Sequence, residues 1–160
     1  MAEAIVREAT EADVEATLDV YESVAAEGRW IGGEQPVDRE RHRAWRIERL
    51  RSGGLVLVAE VEGQIVGELG VEIVHGRGDL GMGILDGFRE QGIGSALLAR
   101  AIEWSRAQGL AKLSLEVWPH NARAIALYEN FGFKQEGYHP KQWRRNSGES
   151  WDTISMGLLL

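Results

Sequence analysis

The chain has 160 residues, enough for one domain with its own core and too few for two ordinary ones. Its 44% hydrophobic and 27% charged residues are a globular composition, and a net charge of -7 leaves no general basic surface to hold nucleic acid. The absence of cysteine excludes disulfides, thiolate metal sites and a cysteine nucleophile.

In chain order, Ala4 to Arg7 reads as a short strand. Thr10 then reads as the N-cap of a helix that carries Val14, Leu18 and Tyr21 on one stripe. The opening MAEAIVREAT has no signal pattern, and no stretch approaches the roughly 20 apolar residues of a membrane span. We therefore expect a cytoplasmic protein, one domain over 1–160, with neither membrane nor nucleic acid as a partner. The glycine-rich segment Gly28 to Val37, with Trp30 and Ile31 inside it, is a loop before a highly charged helix over about Asp38 to Arg51. Leu55 to Val61 and Ile65 to Val74 form a hairpin around a Glu-Gly-Gln turn, and GRGDLGMGIL adds a strand ending near Leu85. Ser95 to Gln108 is helical, LAKLSLEV is a strand, and Asn121 caps a short helix to Asn130. Two closing strands flank the turn Asn146-Ser147-Gly148. The order β-α-α-β-β-β-α-β-α-β-β indicates an α/β domain with a mixed sheet.

One border needs a ligand or a tight turn to explain it: Gly92 and Gly94 at the entrance of a helix, in FREQGIGSALLARAIEW. A helix start offers unpaired N–H groups and partial positive charge, and it binds anions where nothing bulky blocks approach. Arg89, Gln91 and the Ser95 hydroxyl could add donors, which suits a phosphate or pyrophosphate. A nucleotide P-loop fails because Ser95-Ala96 follows the last glycine, and a dinucleotide fingerprint lacks its third glycine where Leu97 stands.

The run Arg89-x-x-Gly92-x-Gly94 after LGMGIL, followed by LEVWPHNARAIALYENFGF, resembles the GCN5-related N-acetyltransferase (GNAT) superfamily. The similarity is strongest from about Leu80 to Gly137. It implies a GNAT fold with a splayed central sheet, acetyl-CoA as cosubstrate and no metal. It also implies a pyrophosphate seat on Gln91, Gly92, Ile93, Gly94 and Ser95, and a pantetheine arm paired with Met82, Gly83, Ile84 and Leu85. Gly81 and Gly83 permit that close approach. By the same resemblance Asn121 hydrogen-bonds the arm, and homodimers are common in the family, although no sequence feature requires one.

Acetyl transfer to an amine, by direct attack through a tetrahedral intermediate, needs a base for the amine proton and an acid for the departing thiolate. The family places its general acid where Tyr128 stands. A phenol pKa near 10 against a thiol near 8.5 makes that donation feasible, while packing beside Leu127 and Phe131 is the structural alternative. Backbone N–H groups around Met82 to Ile84 would meet the oxyanion. For the base, Glu116 occupies the position of a glutamate in ribosomal-protein N-terminal acetyltransferases, and its neighbours Leu115 and Val117 suggest a buried strand that would raise its pKa. Glu68, Glu72 or water alone are the alternatives. The histidines have no metal-ligand spacing.

Acceptor choice in this superfamily falls to Gly28–Val37 and about Tyr138–Trp151, which hold Trp30, Glu34, Trp143, Arg144 and Arg145. Aromatics with an acidic residue (Trp30, Glu34, with Glu68 nearby) suit a small ammonium, and an arginine suits its carboxylate. An amino acid or related small amine is thus the first expectation. The ending WRRNSGESWDTISMGLLL resembles the phosphinothricin-type, small-molecule branch. The alternatives are a protein N-terminal acetyltransferase and, in another class, a non-catalytic acyl-CoA sensor.

Overall fold

The protein is described by a computed structural model over residues 3–160. Its elements are β1 (Ile5–Glu8), a 3-10 turn (Glu11–Asp13), α1 (Val14–Glu27), α2 (Arg39–Arg51), β2 (Leu55–Val61), β3 (Gln64–Val74) and β4 (Arg77–Ile84). There follow α3 (Ile93–Ala107), β5 (Lys112–Val117), α4 (Ala122–Asn130), β6 (Lys134–Arg144) and β7 (Ser150–Leu159). The element order is the expected one, and the seven strands form one mixed sheet ordered β1-β2-β3-β4-β5-β7-β6.

Local chemistry accounts for the departures. Thr10 does not cap α1 directly, because Asp13 accepts its N–H at 2.8 Å and closes the intervening 3-10 turn. Arg7 grips the same carboxylate at 2.8 and 2.9 Å. The β2–β3 turn is Glu62-Gly63 alone, since Val61 pairs with Gln64; both turn residues have positive φ, 49° and 80°, as a tight hairpin requires. The third helix starts at Ile93 rather than Ser95, directly after Gly92 in the left-handed region at φ 84°.

Strand alternation sorts the sheet into two unlike faces. Across β3 and β4, the opposed pairs Gly67–Ile84, Leu69–Met82 and Val71–Leu80 point one way. There α3 covers them, and Leu97, Leu98 and Ala101 are fully buried in the main core with Leu57, Leu69 and Leu113. The pairs Glu68–Gly83, Gly70–Gly81 and Glu72–Asp79 point the other way, beneath α1 and α2. This second face has a floor of glycines rimmed by carboxylates, which leaves room above it.

The helix α2 packs with little apolar burial, since its one buried residue is Arg46. Arg39 reaches Glu15, Asp19 and Glu22 of α1 at 3.1, 3.0 and 3.1 Å. Solvent screens exposed pairs of this kind, so the buried Arg46–Glu68 contact matters more to where α2 sits.

The centre of the sheet opens. β4 and β5 run parallel and pair only at Gly78–Leu113 and Asp79–Ser114. From Leu80 onward the β4 edge has no strand beside it, over about 15 Å of chain at ~3.3 Å per residue.

Candidate active site

The opening between β4 and β5 leads to the start of α3. Ala96 donates to Gly92 O as the first helical bond, so the amides of Gly92, Ile93, Gly94 and Ser95 have no partner within the helix. A Cβ at Gly92 would meet nothing within 4 Å, so a ligand can lie against the backbone there. Gly94 has a different reason. A Cβ on it would come 3.1 Å from Leu127 and 3.4 Å from Ile84, so this glycine lets α4 and β4 close onto α3. Of the two glycines, only Gly92 clears the approach. Gly94→Ala should therefore lower Tm by a few degrees through overpacking, and adding Leu127→Ala should recover part of it; thermal melts of the single and double variants check this.

The expected side-chain donors at this helix start are otherwise engaged. Arg89 donates to both oxygens of Glu27 at 2.8 and 2.6 Å and to Ile84 O at 2.9 Å. Its guanidinium ties the loop to α1 while still lining the cavity. Glu27 also accepts from Trp30 Nε1 at 3.1 Å, and Arg89 holds its carboxyl below the usual range. Gln91 Nε2 donates to Gly87 O at 3.0 Å. The unpaired backbone amides are thus the uncommitted donors at this helix start, with Ser95 on the cavity wall. Met82, Gly83 and Ile84 line the cavity and Leu85 does not; its N–H donates to Val66 O at 2.9 Å. No Cβ at Gly81 would meet anything within 4 Å, which gives a bare backbone cradle beside the open edge.

A cavity of about 620 Å³ runs from Gly92 along β4 to the space under α2. Tyr128 on α4 reaches it while its ring packs on Phe133 at 5.6 Å between centroids. Burial alone pushes the Tyr128 phenol up to about 12, and it therefore stays protonated at neutral pH. Asn121 caps α4, accepting from Ala124 N at 3.3 Å, and also lines the cavity.

Glu116 requires a correction. Leu115 and Val117 are buried as expected, but alternation turns Glu116 to the opposite face, where it is exposed on the cavity wall. Thr153 Oγ1, itself buried, donates to Glu116 Oε1 at 3.0 Å and orients it. Glu68 is the buried carboxylate instead. It shares a face with Glu72, but Arg46 grips it at 2.7 and 3.3 Å. Burial raises its pKa and Arg46 opposes that rise.

The two segments expected to choose the acceptor do meet, though not as donors to it. Arg145 is buried between Trp118 and Trp151, at 5.0 and 4.4 Å from the ring centroids, and donates to Gly32 O at 2.9 Å. Glu34 lies 3.6 Å from Arg145 and accepts from Asn146 N at 3.0 Å. Both residues clamp the loop to the last hairpin, and neither lines the cavity. Trp30 does line it, near Arg89 and Arg123, at the end beside Gly92.

The sequence reading missed a stripe on α2. His42, Arg46 and Arg49 lie four and three residues apart, share one helical face and line the far end of the cavity. A charged stripe on the inward face of a helix was the available signal. Among the described residues no group of three or more His, Asp or Glu side chains is placed to hold a metal, and no helix is long and apolar enough to cross a membrane.

Comparison with known proteins gives the same direction. The family described as "Acetyltransferase (GNAT) family" matches residues 11–133. The L-methionine sulfoximine/L-methionine sulfone acetyltransferase of Pseudomonas aeruginosa is 31% identical, over 86% of this chain and 84% of its own. The L-amino acid N-acetyltransferase AaaT of Escherichia coli is 30% identical over 98% of both chains. A crystal structure named as the ribosomal-protein-alanine N-acetyltransferase of Brucella melitensis superposes with a TM-score of 0.90 at 32% identity, covering 98% of this chain and 99% of that one.

Proposed function

The chain belongs to the GNAT acetyltransferase family, and from that premise we propose that Tyr128 and Glu116 serve it in acetylating the primary amine of a small amino acid or related molecule. It is an acetyl-CoA-dependent N-acetyltransferase. The observation that carries the site assignment is the continuity of one cavity from the unpaired amides at Gly92, past the open β4 edge, to Tyr128 and Glu116.

Acetyl-CoA supplies an activated thioester. The amides of Gly92 to Ser95 would hold its pyrophosphate, and the bare edge at Gly81 to Ile84 its arm. Glu116, oriented by Thr153, takes a proton from the acceptor's ammonium directly or through water, and the neutral amine so formed attacks the thioester carbonyl. The backbone around Met82 to Ile84 meets the developing oxyanion, and Tyr128 protonates the departing sulfur. Glu116→Gln should lower kcat and move the pH–rate profile. An unchanged profile from pH-dependent initial rates returns the base to Glu68 or water.

Two features support a small acceptor. The relatives named for acetylating L-methionine sulfoximine and its sulfone, or L-amino acids, align over 86% and 98% of this chain. The loop at Gly32 is also shut against the last hairpin, where a Cβ on Gly32 would collide with the Trp143 ring. A second reading, a protein N-terminal acetyltransferase, is favoured by the name of the Brucella melitensis structure. A coenzyme A release screen over amino acids, polyamines, aminoglycosides and short peptides separates them. Release with free amino acids supports the proposal, release with peptides alone favours the second reading, and tight binding without release indicates an acyl-CoA sensor.

A further inference from the structure

We propose that Arg49 is the anchor for an acidic group on the acceptor, so that the enzyme selects amines bearing a carboxylate or a similar compact anion; this rests on the small-acceptor reading above. Arg49 lines the cavity from α2, above the glycine floor. Its neighbour Arg46 is engaged by Glu68 through both oxygens. Arg49 itself forms no side-chain hydrogen bond and no ion pair with any described residue; Glu72 and Glu68 act on it only through space.

A half-buried guanidinium without a protein partner has lost part of its hydration, and its remaining donors are left to whatever occupies the cavity. Burial pulls its pKa below that of a free guanidinium, yet an arginine remains charged. The fold also makes room for it. A Cβ on Gly70 would collide with Arg49 Nη1, and one on Gly54 would lie 2.6 Å from Arg49 Cγ. Two glycines therefore hold open the path of this one side chain, its stem at Gly54 and its head at Gly70.

Placement completes the case. Gly70 is paired with Gly81, on the unpaired stretch of β4. Counting from Ile84, Gly81 lies about 10 Å up the strand at ~3.3 Å per residue, at the far end of the stretch assigned to the cofactor arm. A guanidinium there faces the acceptor's end of the cavity, and its planar fork matches a carboxylate. The residues that sequence alone suggested for this role, Arg144 and Arg145, lie elsewhere: Arg145 is the buried clamp, and neither lines the cavity.

The test compares free L-amino acids with their carboxamides as acceptors, in the wild type, Arg49→Met and Gly70→Ala. The wild type should prefer the free acid. Arg49→Met should cut kcat/KM for the acid roughly 10- to 150-fold, chiefly through KM, as loss of a charge-assisted contact does. It should leave the carboxamide rate and KM for acetyl-CoA nearly unchanged. Gly70→Ala keeps the charge but displaces its head, and should raise KM for the acid in the same direction. Equal loss for acid and amide, or no loss, overturns the anchor while the small-acceptor reading stands. A wild type that acetylates peptides and no free amino acid overturns both.

Discussion

Tyr128→Phe should lower kcat by about 10²- to 10⁴-fold, the usual contribution of a positioned acid, while KM for acetyl-CoA stays near the wild-type value. The substitution removes only the hydroxyl, and the ring contact with Phe133 survives it, so Tm should hold. The phenol is held at about 12 by burial alone, well above a thiol near 8.5. It remains protonated across the working range, so its proton is available to be shared with the sulfur in the transition state as the C–S bond breaks and negative charge builds there. Steady-state kinetics with a thiol-reactive reporter measure this directly, and a variant with normal turnover would remove the acid role from Tyr128.

The second large effect is expected at Gly92. Valine there faces two penalties. The φ of 84° is a conformation that β-branched residues avoid, at about 1–2 kcal/mol or more. Its side chain would also fill the open space above the amides of Gly92 to Ser95. Affinity for coenzyme A should fall by about 100-fold or more, as several charge-assisted N–H contacts are lost together. The empty surroundings at this position predict that the fold persists, which circular dichroism can confirm. Undiminished affinity in a calorimetric titration would remove the pyrophosphate from this helix start. The contrast with Gly94, where an added methyl group meets Leu127 rather than ligand, assigns the two glycines of one motif to separate duties.

The element order was legible because period-two runs such as Leu55–Val61 and turn pairs such as Glu62-Gly63 are local signals. The glycine border and Tyr128 stood out in the sequence as a motif, and the fold brings them to one cavity. What escaped the sequence was pairing at a distance. Arg89 looked free to bind phosphate, yet it is held by Glu27, 62 residues earlier in the chain. Glu34 and Arg145 looked like acceptor contacts, and they clamp two loops together instead. Glu116 illustrates the limit of neighbour arguments in strands. Its flanking residues are buried because they face the other way, so their burial argues for its exposure. The α2 stripe was hidden for a related reason: the segment Arg39–Arg51 is so rich in charge that its inward-facing cations could not be told from solvated ones.

The central claim is that one cavity brings the α3 amides, the open β4 edge and Tyr128 to a single coenzyme A molecule. The most direct measurement is a crystal structure with coenzyme A bound. The account predicts the pyrophosphate on the amides of Gly92 to Ser95, the arm along Gly81 to Ile84 and the sulfur within hydrogen-bond reach of Tyr128 Oη. A pyrophosphate seated elsewhere, or a sulfur remote from Tyr128, would contradict it.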